Sequence, residues 1–458
     1  MKNSKINTFF KENFYNLYFS LLFISFLFIL IYNILHYDPI LGYDAEAHYA
    51  YIDSLSRYLP REIRIPIASE TREFFNPPLA YIFPSAIQII CRNFSTSQNL
   101  LESCKPIYGN LTQIFQTIIY IMSILINLLT LNIINKKKFN SFSISYLLLS
   151  MLLAVNYRSI SMIRGEPYIL LFLSFLIFQI VKLENNNFNF TYFDQIKLGS
   201  IIGLLALSRQ WAFLLFPALF FISLKFDKKN SINYLKKIFF SFFIGFLISG
   251  WFYIYNFIKY KTFIPFNIDK IEINYITSFL NLLSLKNTSL NIFVNPIRPV
   301  FNNQFFPIFY SDTWGDYWGY FVFTSRFLEI GKDQHIIGQI LGRANLLNVF
   351  TTLLIIIGFF YRYKFVREKL TILFIKYSII FSFIGFIWFV LNYPTSSGDT
   401  IKAVYFVQVL NLMIFLTAIF IDNIKNKRIY SLIIISLTII FVLNFPTYLS
   451  KFPIGFPY

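Results

Sequence analysis

Acid, imidazole and aromatic side chains gather in two short stretches, Tyr43 to Ile52 and Glu73 to Tyr81, that follow the first long apolar run. Asp44, His48 and Tyr51 fall at helical spacing, so a helix here turns them toward one face and one pocket. Such a face can hold a catalytic carboxylate. The plainer alternative is a cap: Asp44 suits a helix N-cap, and Glu46 suits the first turn, where the helix dipole favours an anion.

Further polar groups stand at the ends of apolar runs: Arg158, Arg164 and Glu166, then Arg209, then Asp399 and Lys402. Polar side chains beside a bilayer are costly and mark function by default. Guanidinium and ammonium groups bind phosphate, and a carboxylate beside them can accept a proton, so one cavity holding them would suit an anionic, membrane-embedded ligand. The alternative for each arginine is a snorkelling anchor at a helix end. In Ser311 to Tyr320, Asp312 and Asp316 alternate with Trp314, Tyr317, Trp318 and Tyr320, a mixture that suits the faces and hydroxyls of a sugar. The competing account is an interfacial aromatic belt. No Gly-rich phosphate loop, Ser-His-Asp order or zinc motif occurs, and His36 and His335 lack metal-ligand spacing.

The elements that must position these groups are set by composition. Of 458 residues, 56% are hydrophobic and 14% charged, against about 25% charged in soluble domains. The expectation is an all-α polytopic membrane protein, a single domain over 1–458 with about eleven spans. The runs are Phe14–Leu35, Leu111–Ile134, Ser143–Asn156, Pro167–Val181, a hairpin of two short spans over Lys197–Leu224, Ile238–Phe257, Asn345–Phe360, Leu370–Leu391, Ala403–Phe420 and Tyr430–Asn444. A first external loop (36–110) carries short amphipathic surface helices, and a long external loop (258–343) precedes the last four spans.

Pro78 to Arg92 reads as a surface helix, because a crossing there would put Lys136, Lys137 and Lys138 outside. The net charge of +18 is concentrated in short loops expected on the cytoplasmic side, so it reports orientation and not a nucleic-acid partner. The N-terminus is then cytoplasmic and the C-terminus external. Cys91 and Cys104 both fall in the first external loop, either paired or as free thiols.

With these residues in view, the chain resembles the GT-C superfamily of integral-membrane glycosyltransferases, which includes protein O-mannosyltransferases and the aminoarabinose transferases of lipid A. Asp44 with His48 looks like the acidic motif after the first span, and Asn76-Pro77-Pro78-Leu79-Ala80-Tyr81 like the Pro-Pro-Leu element. Ser249 to Asn256 is similar to a Gly-Trp-Trp-Tyr stretch of bacterial members, and the Lys402 segment to their late external motif. The acidic pair here is spaced Asp-x-Glu instead of Asp-Glu, which makes Glu46 a weaker candidate than Asp44.

The resemblance implies a polyprenyl-phosphate sugar donor, transfer with inversion on the external face, and a lipid, glycan or protein acceptor. Asp44 would be the general base, with His48 and Glu46 beside it, and Arg158, Arg164, Arg209 or Lys402 would hold the lipid phosphate. Tyr51, Asn76, Pro77, Tyr81, Trp314, Asp316 and Trp318 are the expected sugar or acceptor contacts. Some members use a divalent metal; no metal ligands are assigned here. A bacterial inner membrane is the expected location. The rivals are a flippase or transporter of a lipid-linked saccharide and an envelope polysaccharide polymerase or ligase.

Overall fold

A computed structural model of the chain describes residues 2–39, 41–42, 44–94, 100–135, 143–267, 279–280, 282–283, 287–297, 300–301, 303–321, 334–363, 369–395 and 398–450. Tyr43, the lysine run Lys136 to Lys138 and parts of the long loop over 258–343 lie outside the described residues. Every regular element described is helical.

From the N-terminus, α1 (Lys2–His36) leads to the short α2 (Ala45–Tyr58) and α3 (Leu79–Phe94), then α4 (Leu100–Asn135). Next come α5 (Ile144–Leu152), α6 (Ala154–Ser161), α7 (Glu166–Asn185), α8 (Tyr192–Ser208), α9 (Phe216–Phe221) and α10 (Lys228–Tyr260). The rest comprises α11 (Phe305–Trp314), α12 (Gln334–Phe360), α13 (Lys369–Asn392), α14 (Val407–Asp422) and α15 (Lys427–Asn444).

Among the described residues, eight helices are long and apolar enough to cross a bilayer, and nine if the bent pair α5 and α6 counts as one span. The hairpin expected over Lys197–Leu224 is built from α8 and the shorter run Gln210–Lys225, with extended backbone at Arg209 between them. Outer helices carry two faces. On α1, Leu22, Phe26, Ile29, Leu30 and Asn33 are buried at helical spacing, while Leu17, Ile24 and Leu35 are exposed. The chain spends its apolar surplus on that outward face, as a helix against lipid does.

One expectation needs correction. Ser143 to Asn156 is not a straight span: the helix breaks at Leu153 with a bend of 68°. Arg158 then lies in α6, and every residue from Ser143 to Leu170 is buried, so Arg158, Arg164 and Glu166 sit inside the bundle and not on an outer turn. Asn156 of α6 exchanges amide hydrogen bonds with Asn411 of α14 (2.9 and 3.3 Å), the kind of interhelical polar contact that fixes register where both faces are apolar.

Close packing of α8 on α10 depends on two glycines. A Cβ on Gly199 would lie 2.5 Å from the Ser241 carbonyl oxygen, and one on Gly203 would lie 2.8 Å from Ile248. On the other side α3 starts and ends close to the expected limits, buries Tyr81, Pro84, Ser85 and Gln88, and is tied to α4 by the disulfide Cys91–Cys104.

Candidate active site

Asp44 occupies the N-cap position of α2 with a left-handed backbone (φ 55°), which Asp tolerates better than most residues, yet its side chain makes no capping hydrogen bond. Its carboxylate turns to cations instead. Arg72 Nη2 lies 2.8 Å from Oδ1 and Lys402 Nζ 3.5 Å from Oδ2. The capping alternative therefore describes the backbone position of Asp44 but not the work of its side chain.

Arg209 is held in place from behind. Its Nε and Nη2 donate to Glu166 Oε1 at 3.0 and 2.8 Å, and Nη1 donates to Asn76 Oδ1. The approach needs glycine at 165, since a Cβ there would fall 2.2 Å from the Ser208 carbonyl oxygen and 2.7 Å from Arg209 Cγ. The Asn76 amide donates to Glu73 and, at 3.2 Å, to the Tyr81 hydroxyl, which pairs with His48 Nδ1 at 2.7 Å. Tyr51 stacks on Tyr81 (3.9 Å between centroids) and donates to the Asn76 carbonyl at 3.1 Å.

These groups surround one cavity of about 540 Å³, within the range of small-molecule sites. Its polar lining carries Asp44, Arg72, Glu73, Arg164, Arg209 and Lys402. Aromatic rings line it with them: Trp211, Trp318, Tyr320, Phe389, Tyr393 and Tyr405, with Trp211 stacked on Tyr405 at 5.3 Å and Lys402 Nζ 5.7 Å from the centre of the Tyr405 ring. An apolar groove of about 340 Å³ runs between α8 and α10, lined by Phe213, Phe216, Phe242, Phe246, Tyr253 and Ile264. The turn from Gln210 to Leu215 and the segment 261–267 contribute to both hollows.

Electrostatics divide the acids. Burial alone would raise the Asp44 carboxyl, but Lys402, Arg164 and Arg72 more than offset that and hold it down at about 2. Burial, reinforced by the nearby Asp44, pushes the Glu73 carboxyl up. Burial lowers the His48 imidazole well below its ordinary value, helped by Arg164 and Arg209. Burial would lower the Lys402 ammonium, yet Tyr405 and Asp44 raise it above the usual lysine value. The cavity thus holds an ionised Asp44 carboxylate beside the Lys402 ammonium, with a neutral imidazole behind.

Of the residues singled out from sequence, Asp44, Asn76, Arg164, Arg209, Trp318, Tyr320, Asp399 and Lys402 line this cavity. His48, Tyr51, Pro77 and Tyr81 form a buried layer behind it, and Glu46 is exposed outside it. Arg158, Trp314 and Asp316 are buried elsewhere. Arg158 Nη1 binds Asp312 Oδ1 at 2.5 Å and Asp316 Oδ1 at 3.2 Å, so its charge is engaged by protein carboxylates. Arg72, Trp211 and Tyr405 were not anticipated. Each stands one to three residues from a residue that was, next to Glu73, Arg209 and Lys402 respectively. Ser249 to Asn256 does not line the cavity; Tyr253 bonds the Ala206 carbonyl and packs α10 on α8.

No protein family, curated relative or solved structure matches the chain. Among the described residues, no three His, Cys, Asp or Glu side chains converge as a metal site.

Proposed function

We propose that the chain is a membrane glycosyltransferase that moves a sugar from a polyprenyl-phosphate donor to an acceptor hydroxyl on the external face. The observation that carries the reading is the convergence of Asp44 with Arg72, Arg164, Arg209 and Lys402 in one cavity that aromatic rings also line. The donor's phosphate meets the cations, its sugar lies against the rings of Trp211 and Tyr405, and the neighbouring apolar groove offers room for its tail.

In the reaction the acceptor oxygen attacks the anomeric carbon while Asp44 takes its proton. The bond between that carbon and the phosphate oxygen breaks, and the lipid phosphate leaves with the electron pair. The charge that develops on it is met by Arg164, Arg209 and Lys402. A carboxylate held near 2 is a weak base at rest. Donor phosphate competes for Lys402 and Arg72, which returns Asp44 toward the ordinary carboxylate range and couples base strength to donor binding.

In this reading the helices make eleven spans, with the N-terminus cytoplasmic, the C-terminus external and the cavity facing outward in a bacterial inner membrane. The acceptor is a lipid, glycan or protein. The test is mass analysis of lipid-linked sugars in cells lacking the protein. One accumulating polyprenyl-phosphate monosaccharide names the donor, and an unchanged pool overturns the reading.

The 68° break between α5 and α6 favours a second reading, a transporter of lipid-linked saccharide, because discontinuous helices are common in transporters. Asp44→Asn separates the two: a transferase loses product while still binding donor, and a transporter needs no proton acceptor there.

A further inference from the structure

We infer that Asp312 is a positioning residue that sets Lys402 against Asp44, by capping from a distant part of the chain the helix that begins just after Lys402. The inference rests on the transferase reading of the cavity.

Asp312 is 1% exposed, in α11, and both its carboxylate oxygens are engaged. Oδ1 takes Arg158 Nη1 at 2.5 Å, and Oδ2 accepts the backbone N–H of Ala403 at 2.7 Å. Ala403 opens the 3-10 turn that runs into α14, and the residue before it, Lys402, makes no side-chain cap. The first N–H groups of a helix have no partner within it, and the helix end carries partial positive charge. A carboxylate from α11 therefore satisfies both needs at once.

Arg158 makes the clamp rigid. It also reaches Asp316 Oδ1 at 3.2 Å, and Asp316 Oδ2 accepts the Phe321 N–H at 2.8 Å, so one guanidinium of α6 fixes both ends of the 312–316 segment. Trp318, two residues on, is thereby set on the cavity wall. Lysine has a long, freely rotating stem, so an ammonium stands in one place only when its backbone is pinned and its head is paired. Asp312 supplies the pin and Asp44 the partner.

The groups that face the pair are known. Arg72, Arg164, His48 and Lys402 act on Asp44; Tyr405, Asp44, Arg164 and Glu73 act on Lys402. Asp312 acts on this pair through the backbone N–H of Ala403, the residue next to Lys402.

The cleanest variant is Ala403→Pro in the full chain. Proline fits the first position of a helix, and Lys402 already has the extended conformation (φ −117°, ψ 125°) that a following proline requires. The substitution removes the N–H that Asp312 accepts and sets a ring carbon in its place at a fully buried position, so its result is read beside that of Asp312→Asn, which adds no bulk. Asp312→Asn is the companion, with unfolding monitored by heat in detergent. Two readouts are taken: acylation of Lys402 by an amine reagent, followed by peptide mass analysis of the resting protein, and the pH profile of transfer.

The expected result is Lys402 labelling several-fold faster in both variants and transfer falling by about 10²-fold, the scale of a misplacement near 1 Å. The acid limb of the profile should move upward. In a Lys402→Ala background Ala403→Pro should not lower transfer further. Unchanged labelling of Lys402 in folded Ala403→Pro protein overturns the inference, as does an equal loss in the Lys402→Ala background. Faster labelling in a protein whose wild type transfers no sugar leaves the clamp standing and removes the transferase reading instead.

Discussion

Lys402 Nζ stands 3.5 Å from Asp44 Oδ2 although 358 residues separate the two in sequence. The pair brings the loop after α1 together with the turn that opens α14, and it joins the proposed base to a proposed phosphate ligand. Lys402→Ala removes a charge that holds Asp44 down at about 2. The sign follows: with less opposing charge the carboxyl rises toward about 3.9, so the acid limb of kcat/KM moves to higher pH. At neutral pH the loss is in phosphate stabilisation, about 10²–10³ in kcat. A pH-rate profile of wild type and variant checks both, and an unmoved acid limb would disconnect the two residues.

Asp44→Asn keeps the size of the side chain and removes the proton acceptor. Transfer should fall by about 10²–10⁴ while donor still binds, because Arg164, Arg209 and Lys402 remain. Thermal unfolding in detergent should drop modestly, since Lys402 is 11% exposed and loses the carboxylate that faces it, while Arg72 on the other side is largely exposed. Turnover at the wild-type rate removes Asp44 from the mechanism.

Arg209 and Glu166 form a buried ion pair at 2.8 Å. Glu166→Gln leaves a buried guanidinium without its counter-charge, and breaking one side of such a pair costs about 3–5 kcal/mol. The double variant Glu166→Gln, Arg209→Met should recover much of that stability, because the unpaired charge has gone. Donor KM should nevertheless stay high, because the phosphate has lost a ligand. Melting temperatures and KM for the three proteins separate the structural part of Arg209 from its binding part. Recovery of both together would make Arg209 purely structural.

Much of this was readable in the chain. Apolar run lengths announce the spanning helices, and the Arg209 break announces the hairpin, because charge and hydropathy act locally. Asp44, Arg164, Arg209 and Lys402 were found because an ionised group beside a membrane run is costly wherever it falls. What could not be read is pairing across long sequence distances. Arg158 looks like Arg164 in sequence, and only the approach of α11 shows that Asp312 and Asp316 have claimed it. Trp314 and Trp318 are likewise four residues apart in one aromatic run, yet only Trp318 reaches the cavity. The break at Leu153 carries no proline or glycine to announce it.

His48 gives a prediction whose sign can be worked through without reference to turnover. It is 2% exposed, and burial lowers its imidazole well below the ordinary value of about 6.5. Between that value and the lowered native one, the unfolded chain binds a proton that the native protein refuses. The His48 contribution is therefore fully present above about pH 6.5 and is lost as pH falls toward the native value. Glu73 works in the opposite direction, since its raised carboxyl takes up a proton in the native state first and favours folding as pH falls. The wild-type melting temperature alone mixes the two. The informative quantity is the difference between wild type and His48→Gln, measured at pH 7.5 and pH 5.5. Glutamine can still bond the Tyr81 hydroxyl but does not titrate, so the variant should lose stability less steeply on acidification. A constant difference across that range would mean that His48 is protonated alike in the folded and unfolded states, contrary to its burial behind Arg164 and Arg209.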